Sequence, residues 1–310
     1  MSVVRVRCPA TTANLGPGFD VLGLALARHN LFSFSPSATF ELEAHGEGAE
    51  RLPRDPREHL GVVAYQGARA ALGLPPVPGL RVEVEVGIPP ARGLGSSATA
   101  TAAGLLAAEA HAGRALPLAR RLELATELEG HPDNVVPCLL GGLVAAAARP
   151  GQPPVALRLP LPPGGPAWVV AIPRSLELST REMRAALPAE VPFGDAVFNV
   201  GRVALLVGAL LRGEAEALGV ALEDRLHQPH RGRHIPGFAA LGAAARAAGA
   251  HGLVISGSGP TLLAPSPPAR AEAVRAALAE TWAAAGIEAR CEVLDLDEQG
   301  ARLVPASPAA

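Results

Sequence analysis

The chain has 310 residues, enough for one large domain or two modest ones, and 49% of them are apolar, so it can bury a sizeable core. Acidic and basic residues nearly cancel to a formal charge of −2 and aromatics make up only 3%, which argues against nucleic acid as the main partner.

In chain order, "VVRVRC" (3–8), "TFELEAHG" (39–46) and "LRVEVEVG" (80–87) alternate with period two and predict strands. Residues 58–72, 96–112 and 118–129 have helix-forming composition, and Pro117 is well placed to start the third helix. "GGLVAAAA" (141–148) fits either a strand or a helix end. The Pro- and Gly-rich "RPGQPPVALRLPLPPGGPA" (149–167) is the sharpest composition break and sets a boundary near residue 160, giving units 1–160 and 161–310. Beyond it come a strand at 167–173, helices at 179–187, 194–211 and 235–248, strands at 251–256 and 261–265, a helix at 269–285 and a strand at 289–296. Collapsed to essentials, this half reads β-α-β-β-α-β, a ferredoxin-like sheet with helices on one face. The tail "VPASPAA" (304–310) is expected to be disordered.

Cys8, Cys138 and Cys291 are far apart and odd in number, which suggests neither a disulfide framework nor a zinc cluster. The opening "MSVVRVRCPATTANLG" lacks the apolar core of a signal peptide, and no uninterrupted apolar run reaches about 18 residues, so a cytoplasmic protein is expected.

The segment "GIPPARGLGSSATATAAGLLAA" (87–108) sets a glycine turn between a strand and a helix. Unpaired backbone N–H groups and the positive end of a helix dipole meet there, which suits an anion, phosphate above all. A plain tight turn at Gly93 and Gly95, with Ser96 capping the helix, is the simpler reading for an arbitrary glycine pair. The two serines favour a nucleotide, because its Mg²⁺ takes oxygen ligands. A Walker A loop requires Lys, and the chain contains none. "GLGSSA" also fits a relaxed dinucleotide fingerprint, but "GIPPAR" separates it from its strand and a second helix follows the first, so that reading ranks second.

Four segments together carry a family resemblance: "PATTANLGPGFDVLGLAL" (9–26), "PPARGLGSSATA" (89–100), "ELEGHPDNVVPCLLGG" (127–142) and "ISGSGPTLLA" (255–264). With them the chain resembles the GHMP kinase superfamily and, within it, is similar to the homoserine kinase branch. The resemblance implies an α+β fold, with an amino-terminal half like ribosomal protein S5 domain 2 and a ferredoxin-like carboxy-terminal half. It implies ATP and Mg²⁺ as cofactors, L-homoserine as substrate and a homodimer as a common assembly. The triphosphate loop would be Pro89, Pro90, Ala91, Arg92, Gly93, Leu94, Gly95, Ser96, Ser97, Ala98 and Thr99, working through backbone amides.

The resemblance makes Ser97 the hydroxyl at Mg²⁺ and Glu127 its carboxylate partner. From spacing alone Glu123, Glu127 and Glu129 remain open, since all three sit on one predicted helix. In "GHPDN", Gly130 and Pro132 end that helix, and Asp133 or Asn134 is placed to cap the next. In related kinases of the superfamily the residue matching Asp133 serves as base. The resemblance to the homoserine kinase branch instead implies positioning and charge stabilisation, with Asn134 reaching the substrate hydroxyl and Asp133 kept as a candidate base. His131 reads as a packed or solvated histidine with at most a minor supporting role. A zwitterion requires an anion for its ammonium and a planar fork for its carboxylate. Asn14, Asp20, Arg184 and Arg231 match substrate positions of the family, Arg231 standing close to the alternatives Arg225 and Arg233. One departure is His59, where the family commonly shows Asn near the adenine. Kinases of mevalonate or isoprenoid precursors, and a non-catalytic sensor on the same fold, are the rival readings.

Overall fold

A computed structural model of the chain describes residues 3–305. In chain order the elements are β1 (Val4–Ala13), β2 (Leu22–Ser37), β3 (Glu41–Gly46), α1 (Leu60–Ala71), β4 (Gly79–Val86), α2 (Ser96–Ala112), α3 (Leu118–Glu129), α4 (Pro132–Leu140), β5 (Leu143–Arg149) and β6 (Gln152–Leu159). The second half contributes β7 (Ala167–Pro173), α5 (Thr180–Ala185), α6 (Phe193–Arg212), α7 (Ala215–Ala221), α8 (Gln228–Arg231), α9 (Phe238–Ala248), β8 (Val254–Ile255), β9 (Leu262–Ser266), α10 (Ala271–Ala284), β10 (Ala289–Leu294) and β11 (Arg302–Val304).

The amino-terminal sheet follows the order β11-β1-β2-β4-β3, with β5 pairing β2 and β6 pairing β5. Its inner face carries Phe32, Phe34, Val82 and Val84 against Tyr65, Ala102, Leu105 and Val136 of the helices. A register shift between Pro9 and Ala10 changes which way β1 faces. Before it, Val6 and Cys8 join the helix-covered core. After it, Ala10 faces a second core shared with β7 and α6.

The carboxy-terminal sheet, β10-β7-β9-β8, is antiparallel throughout, as the split ferredoxin-like pattern requires. Strand alternation in β7 divides its two faces. Val169 and Ala171 pack under α9 and α10 with Leu241, Val274 and Trp282, while Trp168, Val170 and Ile172 meet Leu206 and Leu210 of α6 and Leu24 of β2. The second face therefore packs against α6 and the other half of the molecule.

The strands differ from the expectations in three places. The longest strand, β2, was not predicted, and β6 runs through the Pro-rich stretch read as a composition break. The expected boundary near 160 falls between β6 and β7, and β11 returns from beyond it to pair with β1 (Arg5 opposite Val304). Val304 of the expected disordered tail lies in that strand, while residues 306–310 lie outside the described ones.

Candidate active site

A cleft of about 540 Å³ lies where the two halves meet. Its floor is the turn between β4 and α2, where Gly93 and Gly95 take positive φ angles of 74° and 66°. A Cβ on Gly95 would fall 1.9 Å from Thr11 Oγ1, and one on Gly93 would fall 2.4 Å from the Ser256 carbonyl oxygen. Both glycines are thus demanded by close approach as well as by backbone conformation. Ser256 Oγ donates to the Gly93 carbonyl at 2.6 Å, joining the "SGSGP" loop of the second half to this turn.

Of the predicted phosphate-loop residues, Pro90, Ala91, Arg92, Gly93, Gly95, Ser96 and Ser97 line the cleft. Pro89, Leu94, Ala98 and Thr99 do not line it and are buried. Thr99 is spent internally, donating to the Ser96 carbonyl and accepting from Asn30. The cap of α2 is Gly95, and Ser96 is the first helical residue instead of the cap.

Ser97 Oγ donates to Glu129 Oε2 at 2.9 Å, and Thr101 Oγ1 donates to Glu129 Oε1 at 2.7 Å. Glu127 is exposed and absent from the cleft. The carboxylate beside Ser97 is therefore Glu129, a correction to the sequence reading. On α3 the buried side carries Leu122 and Ala125; Glu129 continues it at a spacing of three to four residues, whereas Glu127 points away. Burial raises the Glu129 pKa, against the hydroxyl hydrogen bonds from Thr101 and Ser97 that favour the anion. A half-buried carboxylate flanked by hydroxyls fits a cation. Among the described residues no group of three or more His, Cys, Asp or Glu could hold a metal alone. A Mg²⁺ here would take its remaining ligands from phosphate and water.

His131 precedes α4 in extended conformation (φ −153°, ψ 149°), as Pro132 favours, and it occupies the cap position expected of Asp133 or Asn134. Its Nδ1 lies 2.5 Å from Asp133 Oδ1. Burial works against the imidazolium, but the hydrogen bond and charge of Asp133 outweigh it and raise the His131 pKa. Asp133 is 2% exposed and lines the cleft beside Asn134. Thr11 Oγ1 donates to Asn134 Oδ1 at 2.8 Å, leaving the amide nitrogen toward Asp133 at 3.4 Å.

The "NLGPGFD" turn is strained: Asn14, Leu15 and Asp20 have φ of 73°, 48° and 57°. Asn14 holds it, accepting from the Asp20 backbone N–H and donating to the Gly257 carbonyl. Its amide is thus committed to shaping the turn. Arg184, delivered by α5, donates to both carboxylate oxygens of Asp20. Arg231 is 2% exposed, donates to the Met183 and Gly257 carbonyls, and has no carboxylate within 4 Å among the described residues. Phe19, a residue missed in the sequence reading although it sits in the same motif, lies beneath both guanidinium groups, 5.7 and 5.1 Å from their carbons. Arg225 pairs with Asp195 outside the cleft, and Arg233 is exposed, which separates both from Arg231. His59 lines the far end of the cleft, where burial lowers its pKa to about 4.

Residues 60–142 match the family described as GHMP kinases N terminal domain, and residues 206–284 match GHMP kinases C terminal. The chain is 52% identical over 303 residues to a homoserine kinase of Synechococcus sp., covering 97% of each. It belongs to the homoserine kinases of the GHMP kinase family. A second relative, the homoserine kinase of Moorella thermoacetica, is 49% identical over 84% of this chain and 86% of that one. The crystal structure of homoserine kinase from Cytophaga hutchinsonii superposes with a TM-score of 0.88 at 30% identity, over 98% of both chains. A mevalonate kinase of L. major, at TM-score 0.69 and 16% identity, shares the fold alone.

Proposed function

We propose that the chain transfers the γ-phosphoryl group of ATP to the side-chain hydroxyl of L-homoserine, giving O-phospho-L-homoserine for threonine biosynthesis. The observation that carries this reading is the meeting, in one cleft, of the glycine-serine turn with Asp20, Arg184 and Arg231. The turn offers backbone N–H groups and a helix start to phosphate, and the second set offers an anion for an ammonium and guanidinium forks for a carboxylate.

Ser97 and Glu129 are the side chains that would hold Mg²⁺, whose chemistry is neutralisation of charge on the phosphates. Arg231, buried and without a carboxylate partner among the described residues, receives the substrate carboxylate, and Arg184 joins it by turning from Asp20, which then faces the ammonium. Asn134 orients the hydroxyl, and Asp133 takes its proton as the oxygen bonds to phosphorus and ADP leaves. His131 fixes the Asp133 carboxylate through its 2.5 Å contact. Positioning and charge supply most of the acceleration.

A mevalonate-type substrate has no ammonium for Asp20 to meet, and a sensor would not need Ser97, Glu129, Asp133 and Asn134 together. ADP release should be followed with L-homoserine, mevalonate and other alcohols in the presence of Mg·ATP. Turnover confined to homoserine is expected; turnover of mevalonate alone would overturn the substrate, and none with any alcohol would favour the sensor. We further place the enzyme in the cytoplasm, and as a homodimer; the exposed Phe193, Val197 and Val200 along α6 support the second of these readings.

A further inference from the structure

The turn that receives phosphate and the helix that delivers Arg184 belong to different halves of the chain, yet one cluster of charges joins them. Arg92, in the turn, is 5% exposed. One of its nitrogens, Nη2, donates to the Arg174 carbonyl at 2.6 Å and to Glu177 Oε1 at 3.3 Å. The other two, Nε and Nη1, are buried without a hydrogen-bond partner. Glu177 Oε1 lies 3.3 Å from Arg92 Nη1 and also meets Arg51 Nη1. Two guanidinium groups thus share one carboxylate beside the phosphate turn, and Glu50 lies 3.4 Å from Arg51 Nε as well.

Residues 174–177 are tied twice to Arg92, and they lead directly into α5. Ser179 caps that helix, accepting from the Glu182 N–H while the Glu182 carboxylate returns to the Ser179 N–H, so the six-residue element starts rigidly. Thr180 Oγ1 approaches Ser258 Oγ at 3.4 Å across the cleft. Arg92, Arg174 and Glu177 thus form a continuous contact path from the turn to the start of the helix whose Arg184 pairs with Asp20.

We propose that Glu177 is a positioning residue that couples occupancy of the phosphate turn to the placement of Arg184, so that nucleotide and amino acid bind with positive cooperativity. Polyphosphate in the turn draws on the unspent donors of Arg92, and Glu177 carries the displacement to α5. This rests on the phosphotransferase reading above. It assigns a role to a carboxylate that touches neither substrate.

The test is calorimetric titration of the whole protein with L-homoserine, with and without Mg²⁺ and a nonhydrolysable ATP analogue. The analogue should tighten homoserine binding about tenfold in the wild type. In Glu177→Gln that ratio should fall to near one, with Glu177→Asp recovering part of the ratio. Glu177 is partly exposed, so the variants are expected to fold, and thermal melts would verify it. A ratio in Glu177→Gln equal to that of the wild type, or a wild-type ratio of one, would overturn the coupling. A wild type that binds the analogue but no homoserine would instead overturn the substrate reading.

Discussion

Arg184 and Asp20 form a two-pronged ion pair, with nitrogen to oxygen distances of 2.9 and 2.8 Å, that closes the cleft from opposite halves of the chain. A zwitterionic substrate can replace this one pair by two, its carboxylate meeting arginine and its ammonium meeting Asp20. On the proposed reading, the pair stands in for the substrate's own charges.

Removing either member should accordingly be felt in substrate affinity. Both groups are about one-third exposed, so solvent screening limits the effect. Asp20→Ala and Arg184→Ala are each expected to raise the KM for homoserine by about 10- to 30-fold, corresponding to roughly 1.5–2 kcal/mol. KM for ATP should move little. Steady-state kinetics with each substrate varied in turn checks this, and an unchanged homoserine KM in Asp20→Ala would count against the amino-acid site.

Glu129 and Glu127 differ by two positions and should differ sharply in consequence. Glu129→Gln is expected to raise the Mg²⁺ needed for half-maximal rate by about 100-fold, the upper end of what even indirect contacts to a metal cost. Glu127→Gln should behave as wild type. Because the Glu129 pKa is raised by burial, its proton competes with the cation. Mg²⁺ affinity should therefore weaken as pH falls through that raised pKa, and metal titrations at a series of pH values would reveal the slope.

Asp133→Asn keeps the shape of the side chain but removes its ability to accept a proton. If the carboxylate is the base, kcat should drop by on the order of 10²–10⁴ with substrate affinities nearly intact. Retention of most activity would leave Asp133 as the anchor of His131 and Asn134 only.

His59 offers a stability test independent of catalysis. Its pKa is lowered by burial from 6.5 to about 4, so the unfolded chain binds more protons than the folded one between those values. The fold should lose about 3 kcal/mol as pH falls across this window, and none of that loss should occur above it. His59→Asn removes the titration and places a good capping residue before α1, whose present cap makes no side-chain hydrogen bond. Denaturant unfolding at pH 7.5 and 4.5 should show the difference between the two pH values shrinking by about 2–3 kcal/mol in the variant.

Much of the architecture is written in local pattern. The bounds of α2, α3 and β7 coincide with the expected ones, because clear periodicity or composition is framed there by glycine or proline. The first residues of β2 are buried on both sides, between α4 and the shared core, and so lack the alternation that marks a half-buried strand. Its later residues alternate, but "HNLFSFSPS" mixes polar and turn-prone residues that mask the pattern. β6 tolerates Pro153 and Pro154 because it is an edge strand pairing only β5. At the site, motifs identified which segments converge but not how α3 is rotated. The phase set by Leu122 and Ala125 was available in the sequence and would have selected Glu129 over Glu127.

The pairing of β11 with β1 has a bearing on how the molecule is made. A chain emerging from the ribosome can assemble its helices and most of its first sheet early, but one edge of β1 stays open until residues 302–304 arrive. The first sheet to begin is thus the last to be finished, and synthesis must reach the final strand before that exposed edge is protected from pairing with other chains.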